Sequence, residues 1–260
     1  MPQVTLHLGD CLEVLSMLAD QSADAIIADL PYGVTACKWD NPIPLEPLWE
    51  QYKRIIKPRG AVVLFGSQPF TSRLVMSNLE WFKYEWVWYQ SHASNFMNAK
   101  RRPMLKHQNI LVFCEGVSAY NPQMRKGKPK WSRVGKPIRP RKKTDGTQGG
   151  LPVCENIKTD LYYPHTVLEF SNGRRADSVH PTQKPIALMA YLVRTYTNGG
   201  ETVLDNTMGS GSTGVGCVQT GRNFIGIEIM QEYFETAQER IAEAQAKARE
   251  LRQLQMEMIP

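Results

Sequence analysis

Asp29, Pro31 and Tyr32 stand together in the stretch DLPYG, directly behind the apolar run DAIIA. A carboxylate, the backbone carbonyl of a proline and an aromatic ring within four residues could grip a flat ring that carries an amine. The two oxygens would accept the amine's N–H groups, because a carboxylate and a peptide carbonyl are acceptors. The aromatic would cover one face. The plainer reading is a strand that ends in a turn, since proline and glycine punctuate chains everywhere. A second stretch, LDNTMGSGSTGVG at 204–216, sets glycines between a strand-like and a helix-like run. Such glycines let a backbone approach a ligand, and the helix start behind them offers unpaired N–H donors. Gly209, Gly211 and Gly214 spell G-x-G-x-x-G, so a dinucleotide site is the rival reading.

Two acids count against that rival. Asp205 stands at the strand end before the glycines; its charge would repel a pyrophosphate and attract an ammonium. Glu228 closes the next strand-like run, FIGIE, at a place where an acid typically takes the two hydroxyls of a ribose. The plainer reading of Glu228 is an ordinary strand-end acid. A ligand with an ammonium and a sulfonium at one end and adenosine at the other satisfies both positions. That ligand is S-adenosylmethionine.

The elements that must carry these residues alternate. VTLHL (4–8), DAIIA (24–28), AVVLF (61–65), YEWVWY (84–89), NILVF (109–113), ETVLD (201–205) and NFIGIE (223–228) are predicted strands. Residues 11–18, 47–60 (ended by its Pro and Gly), 185–197 and the tail from Gln231 to Met258 carry helical patterns, with Tyr233, Phe234, Ala237 and Ile241 on the core side of the last. Strands alternating with helices predict a mostly parallel sheet covered on both faces. Residues 116–179 are rich in Pro, Gly and charge and break the rhythm. They divide the chain into 1–115, an irregular insert at 116–179, and 180–260.

The net charge of +6 is local in origin, because 125–143 alone holds ten Lys or Arg and no acid. Such a block is a footprint for a polyanion, or else a solvated loop. Five scattered cysteines at no metal-ligand spacing predict reduced thiols in the cytoplasm and no metal site. No run approaches the ~18 apolar residues of a membrane span, and the first residues lack a secretion signal.

DLPYG, HPTQKP (180–185) and LDNTMGSGSTG, in that order, resemble the amino-group DNA methyltransferases of the beta arrangement. LGDCLEVL at 8–15 and AVVLFGSQPF at 61–70 are similar to further segments of that family. The resemblance implies a Rossmann-like class I α/β fold with a seven-stranded sheet and permuted chain order. It implies that Asp29, Pro31 and Tyr32 are catalytic, and that Asp205, Gly209 and Gly211 form the cofactor loop. Glu228 would take the ribose. His180, Thr182, Gln183 and Lys184 would close over the methionine end, and Asp10 would reach the adenine amine of the cofactor. Cys11, Asp29, Met208, Ser210, Ser212 and Thr213 join the implied cofactor contacts. The chain departs from the pattern at Leu30, where a first proline is common, and at Asn206 and Thr207, where Pro-Phe often follows the acid.

The chemistry so implied is methylation of an exocyclic amine on a base flipped out of duplex DNA, which needs no covalent enzyme adduct. A cytosine-C5 enzyme needs a cysteine nucleophile, usually in Pro-Cys, and that dipeptide is absent. Asp29 favours adenine N6, since relatives acting on cytosine N4 tend to carry Ser there; the cytosine enzyme stays the alternative. So does a non-catalytic DNA-binding module on a methyltransferase fold, and RNA or protein-glutamine methylation is further off. Arg101, Arg102, Arg125, Lys126, Lys128, Lys130 and Arg133 are candidate DNA contacts. A homodimer and a cognate restriction enzyme are the further partners the resemblance allows.

Overall fold

β-branched and aromatic runs form the strands, and their alternation assigns each side chain to one of two faces. The structure is a computed structural model that describes residues 2–33, 41–133, 156–172 and 183–257. In chain order the elements are β1 (Val4–Leu8), α1 (Cys11–Met17), β2 (Ala23–Ala28), α2 (Leu45–Ile55), β3 (Ile56–Gly66) and α3 (Phe70–Ser77). Then come β4 (Phe82–Ser94), β5 (Leu105–Phe113), β6 (Arg125–Arg133), β7 (Asn156–Tyr162) and β8 (Val167–Phe170). The chain finishes with α4 (Ile186–Tyr196), β9 (Thr202–Asp205), α5 (Ser212–Thr220), β10 (Asn223–Glu228) and α6 (Gln231–Glu257).

The main sheet has eight strands in the order β1-β10-β9-β2-β3-β5-β4-β8. β5 is antiparallel to both of its neighbours, and the other neighbouring pairs are parallel. The carboxyl ends of β1, β10, β9, β2, β3 and β4 therefore share one edge. On one face Ala25 and Ile27 of β2 and Val63 and Phe65 of β3 pack with Leu188 and Leu192 of α4, Val218 of α5 and Ile241 of α6. On the other face Ile26 and Ala28, with Val62 and Leu64, meet Leu15 of α1, Tyr52 of α2 and Leu74 of α3. The sandwich clamps β2 and β3 rigidly, which fixes where DLPYG begins.

The structure corrects the sequence-based expectations in three places. The helix expected at 47–60 ends at Ile55, and β3 starts at Ile56. Pro58 explains this, because it lacks an N–H and pushes the residue before it toward extended backbone. The sheet has eight strands where seven were implied. The eighth, β8, comes from the stretch read as irregular and runs parallel to β4, Val87 opposite Val167. Among the described residues of that stretch, β6 and β7 also pair, antiparallel. Residues 122–165 form a compact unit of their own, while 116–121 and 166–172 go with the main body. Among the described residues, no helix is long and apolar enough to cross a membrane, and no cluster of His, Cys, Asp or Glu could hold a metal ion.

Candidate active site

Asp205 closes β9, and Asp29 follows β2 directly; the two strands are paired, Ile26 opposite Leu204. From β9 the chain crosses to β10 on one side, and from β2 it crosses to β3 on the other. A doubly wound sheet holds its ligands in the crevice at such a switch point, beyond the carboxyl ends of the strands. A cavity of about 430 Å³ lies there, within the range of small-molecule sites. Asp29, Pro31 and Tyr32 line it together with Asp205, Met208, Gly209 and Glu228. Stretches 176 residues apart in sequence thus share one wall.

Asp29 is bound on both oxygens. Oδ1 accepts the Tyr32 hydroxyl at 2.6 Å, and Oδ2 accepts the ammonium of Lys184. Lys184 is buried, and its Nζ also lies 5.0 Å from the centre of the Phe65 ring. A desolvated ammonium needs such partners, so the ion pair orients the carboxylate. The Tyr32 ring stacks on Phe70, centroids 4.9 Å apart. Leu30 is buried under the turn, which accounts for an apolar side chain where a proline is common.

Asp205 is buried and bonded on both oxygens, to the Thr213 hydroxyl at 2.5 Å and the Thr207 N–H at 3.1 Å. Burial pushes its pKa up to about 7 in spite of these bonds. Glu228 accepts from the Gly209 N–H at 2.9 Å and the Met230 N–H at 2.8 Å. It ties the glycine loop to the end of β10, and burial raises its pKa too. Gly209 and Gly211 have φ of +51° and +77°, a region that favours glycine. At Gly211 an added Cβ would sit 2.9 Å from Ala237 of α6. The first of these glycines faces the cavity, and the second makes room for helix packing.

Asp10, expected at the cofactor's adenine, caps α1: its Oδ1 accepts from Leu12 N at 2.8 Å and Glu13 N at 3.3 Å. It still lines the cavity, beside Cys11, whose buried thiol has its pKa raised to about 11. Ser210, Ser212, Thr213, Gln183 and Lys184 line it as well, whereas Gly211 does not. His180 and Thr182 lie outside the described residues. Arg101 and Arg102 are exposed on the loop between β4 and β5. Arg125, Lys126 and Lys128 are exposed on β6, where the Arg125 guanidinium lies 2.8 Å from His165 Nε2. Lys130 and Arg133 belong to the same strand.

Sequence reasoning missed three contributors. Thr207 donates its hydroxyl to the Asp29 carbonyl at 3.1 Å and so joins the two motifs directly. Asn206 Oδ1 accepts the hydroxyl of the fully buried Tyr52 at 2.5 Å. Asn206 and Thr207, two of the three departures from the family pattern, therefore stitch the site together. The third is Gln108 of β5, which lines the cavity with a buried Oε1 that has no partner among the described residues. Nothing marks it in sequence except its place two residues before the apolar core of a strand. Asn206 Nδ2 and Ser212 Oγ are likewise buried without a hydrogen-bond partner among the described residues. Buried polar atoms are normally satisfied. An acidic, partly unsatisfied wall of this kind suits a ligand with an ammonium, a carboxylate and ribose hydroxyls.

Residues 23–239 match the model of the N6_N4_Mtase family, described as DNA methylase. The chain belongs to the DNA methylase family. Two curated relatives of this methylase are Type II methyltransferases. M.HpaI of Haemophilus parainfluenzae is 26% identical over 249 residues, covering 91% of this chain and 73% of the relative. M.HinfI of Haemophilus influenzae is 25% identical over 291 residues, covering 98% and 73%. Among solved structures, the M1.HpyAVI–SAM complex resembles the methylase at a TM-score of 0.60 and 24% identity, covering 92% of this chain and 99% of that one. The cytosine-N4-specific PvuII DNA methyltransferase does so at 0.63 and 15%, covering 95% and 93%. At these identities the solved structures speak for the fold, which is that of class I methyltransferases. The family is S-adenosylmethionine-dependent and acts on double-stranded DNA, and the chain is a DNA methyltransferase of that kind.

Proposed function

We propose that this methylase modifies N6 of an adenine flipped out of duplex DNA, at a short recognition sequence. The observation that carries the reading is the Asp29–Pro31–Tyr32 turn sharing one cavity with the Asp205 loop. An exocyclic amine is a weak nucleophile because its lone pair is delocalised into the ring. Asp29 and the Pro31 carbonyl accept its two N–H bonds and turn the lone pair out of the ring plane. A carboxylate oxygen has more than one lone-pair site, so Asp29 takes the amine while keeping Lys184 and Tyr32. The surplus proton left after transfer passes to Asp29. Tyr32, backed by Phe70, packs against the base. Gln108 offers an amide to the donor–acceptor edge that adenine and cytosine share, so Asp29 in place of serine makes the choice of adenine.

Asp205, Glu228, Ser212 and the backbone at Gly209 hold the cofactor, with Asp10, Cys11, Met208, Ser210, Thr213, His180, Thr182, Gln183 and Lys184 around it. When bound, S-adenosylmethionine supplies an electrophilic methyl group on its sulfonium. Positioning by the chain then contributes much of the rate.

Gln108→Leu should raise KM for DNA several-fold and leave cofactor affinity unchanged. A shift in cofactor Kd instead would move Gln108 to the other half of the site. The basic strand β6 and the Arg101–Arg102 loop contact phosphates. Affinity for duplex DNA should therefore fall steeply as salt rises from 50 to 200 mM, by roughly 10³-fold or more if six or more phosphates are neutralised. A flat salt profile would remove these residues from the interface. The Type II names of the two relatives support a cognate restriction enzyme as a partner, and a homodimer completes the proposal; both belong to a cytoplasmic protein. Base-resolution sequencing of DNA from cells expressing the chain should find modified adenines recurring in one short sequence. Modified cytosines there, or none at all, would overturn the adenine reading.

A further inference from the structure

The loop between β4 and β5 projects beyond the sheet edge that holds the site, because β4 runs parallel to β3 and continues past its end: Gly66 of β3 and Val87 of β4 both lie opposite Asn109, and β4 runs on to Ser94. Its tip exposes two large apolar side chains in succession, Phe96 at 75% and Met97 at 93%. The tip is an ordered turn. Asn98 N bonds to Asn95 O at 3.1 Å, Ala99 N to Phe96 O at 3.0 Å, and Arg101 N to Asn98 O at 2.8 Å. Lys100, Arg101 and Arg102 follow directly, and no acid occurs from Gln90 to Cys114. Beyond the loop the same β5 strand carries Gln108 into the cavity.

We propose that Phe96 and Met97 form a wedge that enters the duplex as the target nucleotide leaves its stack. This rests on the DNA reading given under Proposed function. An unprotected apolar pair is hard to account for on a surface that meets water alone, whereas proteins that unstack DNA insert Phe, Met or Leu between base steps. A flat ring and a flexible thioether fill the gap left by a flipped base. The three cations behind them match the phosphates on either side of that gap, and their charge selects DNA over an apolar protein partner. The wedge holds the base out, and the turn at Asp29 receives it.

The test is the double variant Phe96→Ala/Met97→Ala on two duplexes carrying the site found by sequencing. In one the target adenine is paired with thymine; in the other it faces an abasic position, where flipping is already easy. The variant should methylate the paired duplex roughly tenfold or more slowly than wild type, since without the wedge nothing offsets the cost of unstacking the target base. On the abasic duplex the two proteins should be nearly equal, with cofactor affinity and thermal midpoint unchanged. Equal rates on the paired duplex overturn the wedge. Equal slowing on both duplexes also overturns it and leaves a plain DNA contact. A dimer in wild type that the variant dissolves would assign the pair to a second copy of the chain. Wild-type protein that binds cofactor and methylates neither duplex sinks the DNA reading itself, and the wedge with it.

Discussion

Replacing Asp29 should cost roughly 10²–10⁴-fold in kcat, the range for removing a group that handles the reacting proton or the developing charge. Cofactor affinity should change by less than about threefold, which is about 0.6 kcal/mol. The division follows from the geometry: Asp29 follows β2, while the acids assigned to the cofactor end β9 and β10. Alanine alone is a poor test, because it strands the buried Lys184 ammonium without its carboxylate, and an unpaired buried charge is destabilising. Asp29→Asn keeps the shape and one carbonyl acceptor. Asp29→Ala/Lys184→Met removes the orphaned charge. All three variants should fail in transfer, the two single variants with nearly unchanged cofactor binding and the double variant with weaker binding because it also loses Lys184 beside the cofactor, with cofactor Kd read by calorimetry and transfer read in a single turnover. A tenfold or greater loss of cofactor affinity in the asparagine variant would contradict the division of labour.

Asp205 should make cofactor binding pH-dependent. Burial raises its pKa from 3.8 to about 7, so near neutrality the ligand-free site is partly protonated. A ligand ammonium favours the carboxylate form, and binding therefore expels a proton. Cofactor Kd should rise as pH falls below about 7, by at most about tenfold per unit, and level off above it. Asp205→Asn should flatten that profile and weaken binding roughly 10–100-fold, the scale of a lost charge-assisted hydrogen bond. Stability of the ligand-free protein has the opposite slope. The folded state holds the proton more tightly than the unfolded chain, so this contribution is full below pH 3.8 and is lost as pH rises through about 7. It amounts to a few kcal/mol at most. Calorimetry in buffers of different ionisation enthalpy reads the proton directly; no proton release between pH 6 and 7 would detach Asp205 from the ammonium.

Much of this site was legible because its chemistry sits on short runs. DAIIA and ETVLD form mostly buried strands that read as such at once; Asp29 follows the first directly and Asp205 closes the second. What stayed hidden was tertiary. Thr207 reaching the Asp29 carbonyl, Tyr52 holding Asn206 and Phe70 backing Tyr32 join residues that no local spacing relates. Lys184 was visible as part of HPTQKP, but its partner was not. The strand β6, RKGKPKWSR, has no apolar alternation to announce it, so the segment read as irregular. Pro58 and Gly60 mark the end of the helical pattern in the sequence, but α2 already stops at Ile55, since Pro58 favours extended backbone before it and β3 takes over at Ile56.

The central claim is that the turn at Asp29 presents an adenine amine to the methyl donor held by the Asp205 loop. Purified protein, mixed-sequence duplex DNA and S-adenosylmethionine labelled in the methyl group test it most directly, with the DNA digested to nucleosides. The label should run with N6-methyldeoxyadenosine in wild type and vanish in Asp29→Asn. Label in N4-methyldeoxycytidine, or none on DNA from a protein that binds the cofactor, would contradict the account.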